Sequence, residues 1–63
     1  RYLVTTKKIT KNKKIDLKKI NFKRIKNSYG AIDSTVSNRK FLNLKLKKNV
    51  NEGQILRKNM FYD

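Results

Sequence analysis

Histidine and cysteine, the side chains most often used to move protons or attack carbonyls, are both absent from this 63-residue chain. Ser/His/Asp and Cys/His nucleophilic systems are thereby excluded, as are the usual zinc ligand sets. The acids are Asp16, Asp33, Glu52 and Asp63. They lie far apart at turn or cap positions, so a paired-carboxylate site would need a tertiary coincidence. With only Gly30 and Gly53, the chain has no glycine-rich phosphate loop. What remains is cationic binding chemistry. Its most pointed candidate is Arg24, preceded by Lys23 and central to the stretch Phe22-Lys23-Arg24-Ile25-Lys26-Asn27. An arginine stays charged at any working pH and offers a planar fork of donors to a carbonyl or carboxylate. On residue type alone, the simpler reading of Arg24 is a solvated strand-end arginine in a basic chain.

That chain is very basic. Eighteen Lys and Arg stand against four Asp and Glu, a formal net charge of +14. Such a balance favours anionic partners such as nucleic acid, membrane headgroups or phosphorylated substrates. A plainer account competes with it. Fourteen Lys, eight Asn and six Ile, residues that share A/T-rich codons, make up 28 of the 63 positions. The lysines are spread along the chain, those of 7–19 and 45–48 included, and read as solvated faces. The aromatics Tyr2, Phe22, Tyr29, Phe41, Phe61 and Tyr62 are scattered, so no base-stacking platform is visible. Nucleic acid is disfavoured as a partner.

Sixty-three residues make one domain, which buries only about 60% of its unfolded surface and has no disulfide to staple it. No apolar run approaches the roughly 20 residues needed to span a bilayer. The chain starts at Arg1 without a signal-peptide pattern. It reads as a soluble, cytoplasmic piece of a larger protein.

The elements that must position Arg24 are short. Residues 1–8 read as a strand, because Tyr2, Leu3, Val4, Thr5 and Thr6 are all sheet-compatible. Asn12 is the turn residue of the next segment, since Asn tolerates left-handed backbone. Asp16 is placed to cap one helical turn, whose buried side would carry Leu17 and Ile20. Residues 20–25 read as a second strand, with Ile20 and Phe22 on one face, Phe22 in the core and Lys23 on the surface. Residues 26–33 form a loop with turn formers Asn27, Ser28 and Gly30, in which Tyr29 and Ile32 are satellite core or contacts to another body. Asp33-Ser34-Thr35 can cap a short helix through about Lys40, anchored by Val36. Leu42, Leu44 and Leu46 then alternate with Asn43, Lys45 and Lys47, the period of a half-buried strand. Leu42, Leu44, Leu46, Val50, Ile9 and Ile15 are the expected core.

The two ends match at an offset of 41. Leu3 falls on Leu44, Ile9 on Val50, Asn12 on Gly53, Ile15 on Leu56 and Ile20 on Phe61. Each half runs strand, apolar residue, turn former, apolar residue, short helical turn. Neither half is long enough to bury its own apolar face, so the two should face each other.

The run Arg1-Tyr2-Leu3-Val4…Lys8-Ile9…Asn12…Ile15…Ile20…Lys23-Arg24…Gly30-Ala31-Ile32, followed by Leu46-Lys47-Lys48-Asn49-Val50-Asn51-Glu52-Gly53-Gln54-Ile55, resembles a SAF domain. More narrowly, it resembles the antifreeze-like C-terminal domain of bacterial sialic acid synthases and related nonulosonic acid synthases, over essentially the whole chain. The resemblance implies a mainly β fold: a small β-clip, pretzel-like as in type III antifreeze proteins, with short single-turn helices. It implies that residues 1–63 are one domain following a TIM barrel that lies outside this sequence. That barrel would condense phosphoenolpyruvate with an N-acetylated amino sugar and hold a divalent metal, Mn or Mg; no cofactor is expected in residues 1–63. In the family's homodimer the domain covers the barrel mouth of the partner subunit, and an arginine of a Lys-Arg-Pro-Gly segment reaches the sugar. Arg24 occupies that place, with Lys23, Tyr29 and Ile32 as flanking contacts. The sequence departs from the family at Ile25 and Lys26, where Pro and Gly are usual, and at Asn12 and Asn43, where Gly is usual. The readings from other classes are a basic nucleic-acid-binding module and a structural or assembly SAF domain without a sugar ligand.

Overall fold

The computed structural model describes residues 1–26 and 29–62, with backbone alone at Val36, Ser37 and Asn38. The turn roles given to Asn27 and Ser28, and the anchoring role given to the Val36 side chain, lie outside the described residues. Two strands pair antiparallel, β1 (Tyr2–Thr5) and β2 (Ile20–Lys23), in the register Tyr2↔Lys23, Leu3↔Phe22, Val4↔Asn21 and Thr5↔Ile20. The rest of the β structure is a set of isolated bridges: Tyr2↔Asp33, Val4↔Ile55, Ile9↔Val50, Lys14↔Lys45, Ala31↔Arg57 and Leu46↔Phe61. Helical structure among the described residues is of the 3₁₀ type, at Leu17–Lys19, Val36–Asn43 and Lys58–Met60. The fold is small and mainly β.

β1 is the central strand. One edge meets β2. At the other edge the Leu3 N–H donates to the Ile32 carbonyl at 3.1 Å and the Thr5 N–H to the Gln54 carbonyl at 2.9 Å, while the Leu56 and Gly53 N–H groups return bonds to Leu3 and Thr5. Both faces of β1 are covered as well, so Leu3, Val4 and Thr5 are all buried. The core gathers Leu3, Ile9, Ile15, Ile20, Ile32, Phe41, Leu46, Val50, Leu56, Met60 and Phe61, with Leu42 and Leu44 half-buried against it. Phe41 meets Phe61 edge-on, with ring centroids 5.6 Å apart.

The offset of 41 is a structural repeat. Exchanging each residue of one half for its counterpart turns one backbone bond into another that is also present. Thr5 N–H to Gln54 O (2.9 Å) becomes Leu46 N–H to Lys13 O (3.0 Å), and Gly53 N–H to Thr5 O (2.8 Å) becomes Asn12 N–H to Leu46 O (2.9 Å). Thr6 N–H to Lys19 O becomes Lys47 N–H to Met60 O, both at 2.7 Å. The bridge Val4↔Ile55 becomes Lys14↔Lys45, and the pair Thr5↔Ile20 becomes Leu46↔Phe61. The 3₁₀ turns Leu17–Lys19 and Lys58–Met60 are likewise 41 apart. Asn12 and Gly53 take the same left-handed backbone, φ 69° and 76°. This reciprocity is the signature of an approximate two-fold axis. Each half alone is too short to close a core, and the two bury their apolar residues against each other.

Several expectations need correction. Residues 42–46 are not a strand: Leu42 and Asn43 end the 3₁₀ segment, and only Lys45 and Leu46 form single bridges. The Leu44 N–H closes that segment's last turn on the Phe41 carbonyl at 3.2 Å, and Phe41, outside the leucine alternation, takes the core place. At three residues per turn, the eight residues of Val36–Asn43 exceed the single-turn helices expected. Thr35 starts it without a side-chain cap bond; instead the Asp33 carboxylate accepts the Thr35 N–H at 3.0 Å. Asp16 does cap its turn, accepting the Lys18 N–H at 3.0 Å, but Leu17 in that turn is 57% exposed. Phe22 is not core either, at 48% exposed.

Candidate functional site

Arg24 follows directly on β2, whose pairing with β1 fixes the backbone up to Lys23. It is exposed, and its guanidinium makes no hydrogen bond or ion pair to the described residues. Two residues back along the chain, Phe22 forms part of an open apolar cleft of about 360 Å³. Leu3 and Ile32 make its floor, Leu17, Phe22 and Leu42 its apolar walls, and Asp33, Ser34, Thr35 and Arg39 its polar rim. The exposure of Leu17 and Phe22 thus has one cause. Ile20 faces the packed core, whereas Phe22 on the same side of β2 faces this cleft, which stands open among the described residues.

The four residues singled out in the sequence do not converge. Arg24 and Lys23 are both exposed at the end of β2, and neither lines the apolar cleft. Tyr29 is 80% exposed and lies in a separate shallow cleft with Gly30, Arg57, Lys58 and Asn59, its carbonyl accepting a bond from Arg57 Nη1. Ile32 is core at 1% exposed, its N–H donating to the Leu56 carbonyl at 2.9 Å, and it also lines the apolar cleft. Residue-by-residue reading missed Leu17, Phe22 and Arg39 around that cleft.

Arg24, Lys23 and the rim residue Arg39 belong to the part of the chain without a two-fold counterpart, since residues 1–22 map onto 42–63. The scaffold is repeated, and the candidate site is not. Among the described residues no group of three or more His, Cys, Asp or Glu could hold a metal ion. No described helix is long and apolar enough to cross a membrane. No family model matches the chain, and no curated protein or solved structure matches it either.

Proposed function

We propose that the chain is a non-catalytic substrate-capping domain of the SAF, β-clip type, and that it presents Arg24 to the amino-sugar site of a nonulosonic acid synthase in the partner subunit of a homodimer. The observation that carries the reading is an exposed arginine, without a hydrogen-bond or ion-pair partner among the described residues, following the strand whose Phe22 lines an open apolar cleft. Phe22 and Leu17 leave close to half or more of their surface open in a chain with little core to spare. A second body lying on the cleft would bury them and bring its own substrate near Arg24. The two-fold related halves, with left-handed turns at Asn12 and Gly53, also fit the paired half-motifs on which the resemblance rests.

In this role the guanidinium donates charge-assisted hydrogen bonds to a carbonyl or carboxylate of the sugar. It orients the substrate and contributes no proton transfer. The test is steady-state kinetics of the parent synthase carrying Arg24→Ala. A charged hydrogen bond worth about 1.5–3 kcal/mol corresponds to a loss of about 10- to 150-fold in kcat/KM for the sugar, with little change for phosphoenolpyruvate. Unchanged sugar kinetics would leave the structural or assembly reading of the same fold.

A further inference from the structure

The approximate two-fold axis supplies a comparison that composition alone does not. Residues 1–22 carry seven lysines, one arginine and one aspartate; their counterparts 42–63 carry four lysines, one arginine, one glutamate and one aspartate. The same backbone path is therefore built twice with different charge. A codon bias acting on the whole gene, or a general need for solvation, would load both halves alike.

Four of those seven lysines line a single cleft. A cleft of about 330 Å³ is lined by Lys8, Lys13, Lys14 and Lys19, together with Ile9, Thr10 and Asp16. The counterparts of those four lysines are Asn49, Gln54, Ile55 and Met60. The one acid of the cleft, Asp16, already accepts the Lys18 N–H. None of the four lysines has an ion-pair partner among the described residues. Lys14 also stands directly opposite Lys45 in an antiparallel bridge, where the other half places Val4 opposite Ile55. Like charges directly opposed across a bridge are destabilising, so folding gains nothing from this pair.

We propose that this cleft is a binding site for a small polyphosphate anion. Lysine ammoniums are compact point charges suited to phosphate oxygens. A single phosphate monoester carries a charge of about −1.5 to −2. Four lysines lining one cleft are therefore matched in charge by two or three linked phosphates. No aromatic residue lines the cleft, so a nucleobase would find nothing to stack on and the phosphates carry the recognition. Inorganic tripolyphosphate and a nucleoside triphosphate should accordingly bind alike. The site lies apart from Arg24 and does not depend on the capping role.

The experiment titrates the 63-residue chain with inorganic tripolyphosphate and with ATP at about 150 mM salt, read by calorimetry and by amide chemical shifts. Saturable binding is expected for both, within about threefold of each other, with shifts concentrated on residues 8–19. The variant Lys8→Gln/Lys13→Gln/Lys14→Gln should weaken tripolyphosphate by about 10-fold or more. The control Lys26→Gln/Lys40→Gln/Lys58→Gln removes the same charge from exposed positions outside the cleft, and should change affinity by less than about twofold. Equal losses in the two variants would mean diffuse attraction to net charge and would overturn the proposal. So would an absence of saturation, or a duplex RNA that binds more tightly than tripolyphosphate with shifts spread over both halves.

Discussion

Ile9 and Val50 exchange both of their backbone hydrogen bonds, Ile9 N–H to Val50 O at 2.9 Å and Val50 N–H to Ile9 O at 2.8 Å. Among the described residues they are the one bridged pair that the offset of 41 maps onto itself, so the approximate two-fold axis passes between them. Both side chains are buried in the common core.

Their position makes them the seam between the halves. A 63-residue domain has a total stability of about 3–9 kcal/mol. Ile9→Val should cost about 0.5–1.5 kcal/mol. Ile9→Ala should cost about 2–5 kcal/mol, enough to leave much of the protein unfolded at room temperature. Equilibrium urea denaturation of the two variants checks this. A cost for Ile9→Ala below that of an exposed substitution such as Lys11→Ala would place the seam elsewhere.

The related turns predict an exchange of residues. Gly53 has φ 76° and no atom within 4 Å of where a Cβ would stand, so the cost of a side chain there is conformational and not steric crowding. At Asn12 the chain already fills the equivalent turn, φ 69°, with asparagine. Gly53→Asn should therefore be mild, and Gly53→Val should cost about 1–2 kcal/mol more, because a β-branched residue resists left-handed backbone. In the reverse direction, Asn12→Gly should be close to neutral. Thermal melts of the three variants measure it; equal melting temperatures for Gly53→Asn and Gly53→Val would count against the turn geometry.

Thr5 shows where the repeat is broken for a reason. Its counterpart Leu46 is fully buried in the core, whereas the buried Thr5 hydroxyl donates to the Asn51 carbonyl at 2.6 Å and accepts the Gln54 N–H at 2.9 Å. Thr5→Val keeps the shape but leaves the Asn51 carbonyl and the Gln54 N–H without this partner. It should destabilise by about 1–3 kcal/mol. Amide exchange at Gln54 should accelerate with it. A Thr5→Val protein as stable as its parent would show that water replaces the hydroxyl at no cost.

The part of the fold legible in the sequence was what the repeat writes twice. Apolar spacing marked Ile9, Ile15 and Val50 as core, and Asn12 opposite Gly53 marked the left-handed turns, because both signals are local and recur in each half. The segment Val36–Asn43 was hidden for the opposite reason. Its 3₁₀ turns leave no 3.6-residue period, and the alternation of Leu42, Leu44 and Leu46 straddles the helix end and an extended stretch while imitating one strand. Phe22 was misplaced because strand alternation sets which side a residue faces, not whether anything covers that side. The lysine cleft was invisible in a residue count, since only the fold brings Lys8, Lys13, Lys14 and Lys19 around one space.

Leu17 and Phe22 line the open apolar cleft. Leu17 and Phe22 are 57% and 48% exposed, so each contributes only part of the stabilisation that a fully buried apolar side chain supplies. Full burial of such a side chain is worth about 1.5–3 kcal/mol. Leu17→Ser and Phe22→Ser should therefore each cost the isolated chain no more than about 1 kcal/mol. In a parent protein where a second body covers the cleft, the same substitutions should remove the remaining burial and loosen the docking of this domain. The comparison is the change in melting temperature for Phe22→Ser in the isolated chain and in the full-length protein, beside limited proteolysis of the full-length form. A larger shift and faster cleavage in the full-length variant would fit docking at this cleft. Equal shifts in both settings, with unchanged proteolysis, would mean that the cleft stays open to solvent, and Arg24 would lose the neighbouring surface that argues for its role.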